Sequence, residues 1–442
     1  MKIGLSDHFT YGKLLRFTLP SMVMMVFTSL YGVVDGLFVT NFVGKSALAA
    51  MNFVFPILNI LAIFGYMFGA GGSALVAKTL GEGKKLRANS LFSLFVYISA
   101  ALGVVFSLLG FFLLRPLLEC LGASGEMLRL GLLYGKVLLV SLPFWNLQFL
   151  FQIFFVTAEK PRLGLYVTLL AGIANMVLDA LFVAVFGWGF VGAAVATAIS
   201  QILGGGIPII YFSVKNSSLL RLGKTSFDGK AALKATTNGS SELVSGVSGS
   251  VVGVLYNIQL MKYSGEDGIA AYSIMMYVAM IFIGIFWGYV NGSAPVISYH
   301  YGAKNSAELK SLLKKSIVLI VVSSFVMVAI SEALAHPLAT IFAGYDDGLF
   351  EVTLKGFRKY TLSFLFSGLA IFGPAFFTAL NNGAVSAVIS FLRTFVFQAV
   401  LVMLFPWLWG IDGIWFSVVA AEALSVAVSV IFIILNKKKY AY

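Results

Sequence analysis

The sequence predicts an all-α polytopic membrane protein, with twelve transmembrane helices in two pseudo-symmetric lobes of six. Three observations carry this. The 442 residues are 60% hydrophobic and only 11% charged, with a mean hydropathy of +0.96. That is far too little charge to cover a soluble protein of this size. The apolar residues also fall in runs long enough to cross a bilayer, for which roughly 20 suffice. Finally, a shift of half the chain length, which carries Gly81 onto Gly302, lays glycines of one half on those of the other.

The first run, Leu14–Thr40, holds Pro20 and, well inside it, Asp35. The second, Leu48–Ala77, contains Gly69-Ala70-Gly71-Gly72-Ser73. This stretch lacks the Gly-Lys-Ser/Thr ending of a phosphate loop. It reads as a small-residue packing face, as does Gly204-Gly205-Gly206 in the sixth run. Ala88–Leu114, Leu130–Val156, Leu163–Phe186 and Val191–Tyr211 complete the first half. Ser240–Met261, Ile269–Tyr299, Leu313–Ala335, Phe357–Leu380, Ala384–Trp407 and Gly413–Leu435 make the second. Two connections are long: Ser213–Thr237, polar and basic, and His336–Lys355, which carries Asp346, Asp347 and Glu351. The expected units are therefore an N-terminal lobe over 1–212, a cytoplasmic linker over 213–237 and a C-terminal lobe over 238–442.

Basic residues set the expected orientation. The two ends, the even-to-odd connections and Arg393 together hold 22 of the 30 Lys and Arg, so both termini are expected in the cytoplasm and the span count is even. The same distribution separates the net charge of +12 from nucleic-acid binding, because the bases punctuate apolar runs. One cysteine, Cys120, and three scattered histidines leave no cysteine-based or His-ligated metal centre.

The repeat rests on seven glycine pairs at the half-length offset, among them Gly44/Gly265, Gly71/Gly292, Gly81/Gly302 and Gly189/Gly410. Chance predicts about two. Six spans per half make both halves enter the bilayer in the same direction, related by an axis along the membrane normal.

Four acids lie inside spans: Asp35, Asp179, Glu242 and Glu422. An ionisable group at such depth costs about 3 kcal/mol or more unless a partner, water, a proton or a cation offsets it. None is duplicated: Asp35 meets Tyr256, Asp179 meets Val400, Glu242 meets Ser21 and Glu422 meets Gln201. Asp35 and Asp179 thus place a site inside the N-terminal half alone. Asn175 stands one helical turn before Asp179, and the sixth span adds Thr197. Together they form an all-oxygen set suited to a proton or a hard cation such as Na⁺. On spacing alone, Asn175 and Thr197 are equally consistent with ordinary interhelical hydrogen bonding. Glu242 is expected to reach water from the start of the seventh span, and Glu422 to be structural. Met24, Phe149, Phe154, Met275, Met276 and Met280 are candidates to line a cavity for apolar cations. With no phosphate loop and no nucleotide-binding domain, any active transport must draw on an ion gradient.

Several segments together resemble the MATE (multidrug and toxic compound extrusion) family, and within it the MepA-like and DinF-like bacterial branch. They are Tyr31–Phe38, Phe42–Ala50, Gly65–Gly72, Gly81–Lys84, Thr157–Pro161, the Asn175/Asp179 pair and Gly189–Thr197. The resemblance implies the MATE/MOP-type fold, two six-helix lobes around a cleft that opens alternately to each side. It implies export of organic, often cationic compounds in exchange for H⁺ or Na⁺, with no other cofactor. It assigns cation binding to Asp35, Asn175, Asp179 and Thr197, and bending of the first helix and its network to Pro20, Tyr31 and Tyr134. Phe357–Leu380 has no internal acid, so a second cation site in the C-terminal half is not implied. The expected setting is the bacterial inner membrane, and the expected state a monomer with small-molecule partners. A lipid-linked oligosaccharide flippase would need about fourteen spans and several cavity bases, whereas these spans are nearly free of bases, with Arg393 the main exception. An enzyme would need a nucleophile–base pair or metal cluster, and neither is visible. A channel would not concentrate its substrate.

Overall fold

A computed structural model describes residues 3–43, 45–344 and 346–442. All regular structure among them is helical. The N-terminal half contains α1 (Tyr11–Phe42), α2 (Lys45–Gly81), α3 (Lys85–Cys120), α4 (Gly125–Thr157), α5 (Pro161–Asp179) and α6 (Gly189–Ser213). A π-helical turn, Ala180–Val185, extends α5. The C-terminal half contains α7 (Gly229–Gly302), α8 (Ser306–Ala343), α9 (Asp347–Thr361), α10 (Phe364–Ala379), α11 (Gly383–Phe391), α12 (Gln398–Trp409) and α13 (Ile411–Tyr440). A second π turn, Leu392–Phe397, joins α11 to α12.

Ten helices among the described residues are long and apolar enough to cross a bilayer, and the α9–α10 pair, bent by 49°, makes an eleventh span. The twelfth comes from α7, whose 74 residues are two helices broken at Gly265, where φ is +62°. A side chain there would be strained, so glycine fits the break. Its expected repeat partner, Gly44, lies outside the described residues. Two expected connections are corrected. The linker is non-helical only over 214–228, because Asp228 caps α7 by accepting from the Ala231 N–H at 3.0 Å. Ahead of the tenth span, α8 runs to Ala343 and α9 starts at Asp347, because Asp346 caps α9 by accepting from the Leu349 N–H at 2.9 Å. Both helix starts are too polar to show as apolar runs.

The repeat is visible in the backbone. Left-handed residues recur at matching turns: Gly83 with Lys304, Glu159 with Asn381, and Gly189 with Gly410, at φ between +56° and +79°. It is equally visible where the halves meet. A Cβ on Gly81 of α2 would collide with the Tyr299 carbonyl of α7, and one on Gly302 with the Lys78 carbonyl. Each contact is the other moved by half the chain, as an axis between the two helices requires. Gly71 against Gly239 and Gly292 against Thr18 form a second such pair. Small residues permit this backbone contact, and in lipid close packing is what holds helices together. All of these approaches lie in the half of the bundle that bears the two termini. Outward-facing Leu108, Phe112, Phe325 and Ile341 are exposed, as a lipid-facing surface requires.

Candidate cation site in the N-terminal half

Gly172 brings α1 and α5 together, since a Cβ there would run into the rings of Phe27 and Tyr31. Ser200 of α6 donates to the Ala171 carbonyl of α5 at 2.9 Å. These two contacts set Asp35, Asn175, Asp179 and Thr197 around one point. Asn175 Nδ2 donates to Thr197 Oγ1 at 3.4 Å, an interhelical hydrogen bond that leaves Asn175 Oδ1 without a partner among the described residues. Tyr134 of α4 closes the site from the side. Its ring stacks on Phe190 with centroids 4.5 Å apart, and its hydroxyl faces Thr197 with both acids close by.

Asp35 is 7% exposed, Asn175 1% and Asp179 0%, so bulk water does not solvate these groups. Asp35 Oδ1, both oxygens of Asp179, Asn175 Oδ1 and the Tyr134 hydroxyl have no hydrogen-bond partner among the described residues. Such orphaned oxygens are costly unless something fills the space between them. The carboxyl groups of Asp35 and Asp179 are close enough to act on one another electrostatically, without a hydrogen bond between them. Two carboxylates tolerate that proximity only with a proton or cation between them. No Lys, Arg or His pairs with either acid among the described residues, and no cluster of three His, Cys, Asp or Glu forms among them. The donor set fits H⁺ or Na⁺ and not a soft transition metal.

Tyr31 stands one turn before Asp35 on α1, beside Gln148 of α4, a neighbour that the sequence reading missed. Pro20 lies within α1 on the wall of a separate cavity of about 530 Å³ with Arg16, Lys160 and Tyr166, away from the acids. The cavity-lining expectations divide. Met276 and Met280 border a cavity of about 530 Å³ in the C-terminal half. Phe149 is half-buried, edge-on to Tyr66 at 6.0 Å. Phe154 and Met275 are wholly buried in the apolar core, Phe154 against Phe92, and Met24 is 1% exposed. For these three the expectation is corrected: helix faces with that much apolar contact turn into the core.

Glu242 also differs from expectation. Because α7 starts at Gly229, Glu242 is deep in its helix and buried, near Tyr66 and within the field of Arg393. Arg393, counted with the cytoplasmic bases and also read as the main base inside a span, is buried too. Its Nε and Nη2 donate to the two oxygens of Glu422, each at 3.0 Å. The sequence reading sets Arg393 and Glu422 each inside a span of the same half and does not foresee their pairing.

A model of the MatE family matches residues 20–181 and, a second time, 243–404. The multidrug export protein MepA of Staphylococcus saprophyticus is 26% identical over 434 residues, covering 96% of this chain and 94% of the relative. MepA of Staphylococcus haemolyticus is 27% identical over 413 residues, covering 93% and 90%. Among solved structures, an outward-facing multidrug resistance MATE family transporter of the MOP superfamily superposes with a TM-score of 0.93 at 22% identity, covering 98% of this chain and 97% of that one. A MATE in the bent conformation superposes with a TM-score of 0.89, also at 22% identity, covering 99% and 98%.

Proposed function

The chain belongs to the MatE family, and from that premise we propose that it exports small amphipathic organic cations in exchange for H⁺ or Na⁺. The carrying observation is the pair Asp35 and Asp179, buried with orphaned oxygens and with no base beside it among the described residues. With the site filled by a proton or Na⁺, α1 and α5 are held together. With it empty, the acids repel in a low dielectric and separation is favoured. An ion that binds one arrangement better than the other shifts the balance between them.

The path from that site to the cleft runs along α1. Gly284, Gly288 and Gly292 of α7 seat Met25, Met22 and Thr18 of α1, and Ser29 donates to the Met280 carbonyl at 3.2 Å. Any bend of α1 at Pro20 therefore moves it against the C-terminal half. Contact between the halves at the end bearing the termini supports a state open at the opposite end. We read the protein as a monomer of the bacterial inner membrane with both termini cytoplasmic. The flippase reading loses ground, because the intramembrane base Arg393 is already neutralised by Glu422.

Gradient-driven dye efflux from proteoliposomes tests the proposal. Asp35→Asn and Asp179→Asn are expected to fall to the background of empty vesicles, and full activity in both would remove the mechanism. Substrate-induced proton release from purified protein, with and without Na⁺, separates the two coupling ions.

A further inference from the structure

At the end that bears the termini, the segments ahead of α1 and α7 each reach across to the other half, and the repeat makes the two places comparable. Ahead of α1 the space is plugged. Phe9 is wholly buried, edge-on to the His300 ring at 6.5 Å, and its N–H donates to Glu308 Oε1. Ahead of α7, the repeat equivalents of Phe9, His300 and Glu308 are Lys230, Thr79 and Arg87. A ring that fills its space is thus exchanged for an ammonium on a flexible stem. A cavity of about 360 Å³ is left there, and all three equivalents line it. That volume is within the range of small-molecule sites.

We propose that this cavity binds a phosphate anion carrying at least two charges, which clamps the two halves together at this end. Lys78, Lys84 and Arg87 enter the cavity from the N-terminal half, and Lys230 and Lys234 from the C-terminal half. The two acids that line it, Glu82 and Asp228, are already engaged. Glu82 accepts from Lys84 at 2.8 Å, and Asp228 pairs with Arg87 while capping α7. Five bases against two acids leave an excess of three positive charges. Lys230 and Lys234 form no ion pair among the described residues, and Lys78 and Lys439 are close enough to Lys234 to repel it. Bases that serve only to orient the spans gain nothing by converging on one cavity.

Phosphate suits this lining. Each ammonium meets a phosphate oxygen as a point charge, and Arg87 keeps N–H donors beyond the one that Asp228 takes. Lys78 also stands at a crossing of the halves, since its carbonyl is what a Cβ on Gly302 would strike. An anion held between Lys78 and Lys234 therefore joins the halves where their backbones already touch, and it favours the state closed at this end by binding that state better. The clamp is independent of the exporter reading, because none of its residues belongs to the Asp35/Asp179 site. A soluble diphosphate group and the phosphate of an anionic lipid head share this chemistry.

Calorimetric titration of inorganic pyrophosphate into purified full-length protein in neutral detergent tests the soluble source. Lys230→Gln/Lys234→Gln is expected to weaken binding about a hundredfold, roughly tenfold for each lost charge interaction. Lys310→Gln/Lys314→Gln removes the same charge from exposed positions of α8 outside the cavity and should leave binding within about twofold of wild type. All four lysines are exposed and none forms an ion pair among the described residues, so folding is not at stake. Equal weakening by the two double variants would mean that binding follows net surface charge, and would overturn the proposal. The clamp itself is read in phosphatidylcholine nanodiscs, from the distance between spin labels on the two halves in a Cys120→Ser background, since Cys120 is exposed. Shortening on adding pyrophosphate identifies a soluble ligand, and shortening on adding phosphatidic acid to the bilayer identifies a lipid; either supports the clamp if Lys230→Gln/Lys234→Gln abolishes it. No shortening with either anion, or a shortening that this variant keeps, overturns it.

Discussion

The two halves share a backbone and differ in how they balance buried charge. In the N-terminal half, Asp35 and Asp179 face each other with no base among the described residues and with oxygens unpartnered. In the C-terminal half, Tyr256 takes the place of Asp35, and Glu422 is matched by Arg393. The repeat therefore conserves what the backbone geometry demands, the glycines at crossings and the left-handed turn residues, and leaves ionisable groups free to diverge. The half whose charge is unbalanced needs a mobile ion. The half that carries its own counter-ion does not.

The widest separation between the halves is expected in transport. Asp35→Asn or Asp179→Asn should lower gradient-driven efflux on the order of 100-fold, the upper end for a single coupling interaction. Tyr256→Phe, at the position equivalent to Asp35, should change it by less than about fivefold. Equal losses at both positions would mean that coupling is shared between the halves.

Stability should differ in sign. Glu422→Leu strands the Arg393 guanidinium in the core and is expected to cost about 3–5 kcal/mol, while the double variant Arg393→Met/Glu422→Leu recovers most of it. Asp179→Asn removes a buried charge that has no cationic partner, and the protein should melt at the same or a higher temperature. Thermal unfolding followed by tryptophan fluorescence reads both, and a melting point lowered alike by Glu422→Leu and Asp179→Asn would erase the distinction.

Where the halves are equivalent, substitutions should match. Gly81→Ala and Gly302→Ala each push a methyl into a carbonyl across the same axis, and each is expected to destabilise by about 1–3 kcal/mol. A silent substitution at one of them would break the two-fold relation at that crossing.

These contrasts were legible in the sequence to different depths. Span number and the repeat were readable because apolar runs and glycines register the bilayer and the crossings directly. The Asp35, Asn175 and Asp179 constellation was readable because acids in apolar runs are rare enough to stand out. Polar helix starts such as Gly229–Thr237 and Asp347–Lys355 were not, since hydropathy records where lipid begins and not where hydrogen bonding begins. Phe154 and Met275 were misplaced because composition says that a side chain is apolar without saying which way its helix is turned. The pairing of Arg393 with Glu422 joins residues 29 apart on different helices, and no local pattern links them.

The smallest effect is expected where the chain enters each half. Ahead of α1, Leu5 N–H donates to Glu159 Oε1 at 2.8 Å in the N-terminal half. Phe9 N–H then donates to Glu308 Oε1 at 2.9 Å, and His8 Nδ1 lies 2.6 Å from Glu308 Oε2, at the start of α8 in the C-terminal half. Ahead of α7, the linker is tied the other way: Asp228 pairs with Arg87 at the start of α3. Asp228 is the repeat equivalent of Asp7, and Glu308 that of Arg87. Each half is thus strapped to the third helix of the other, at the end where the glycine crossings lie. Glu308→Gln keeps the Phe9 hydrogen bond and loses its charge, and since His8 is largely exposed the cost should be about 1 kcal/mol. That corresponds to roughly a fivefold larger population open at this end, read as a longer component in the distance between spin labels on the two halves. Arg87→Gln should act alike on the opposite strap. If Glu308→Gln leaves the distance distribution unchanged, the strap follows the closure of the halves and does not help to hold it.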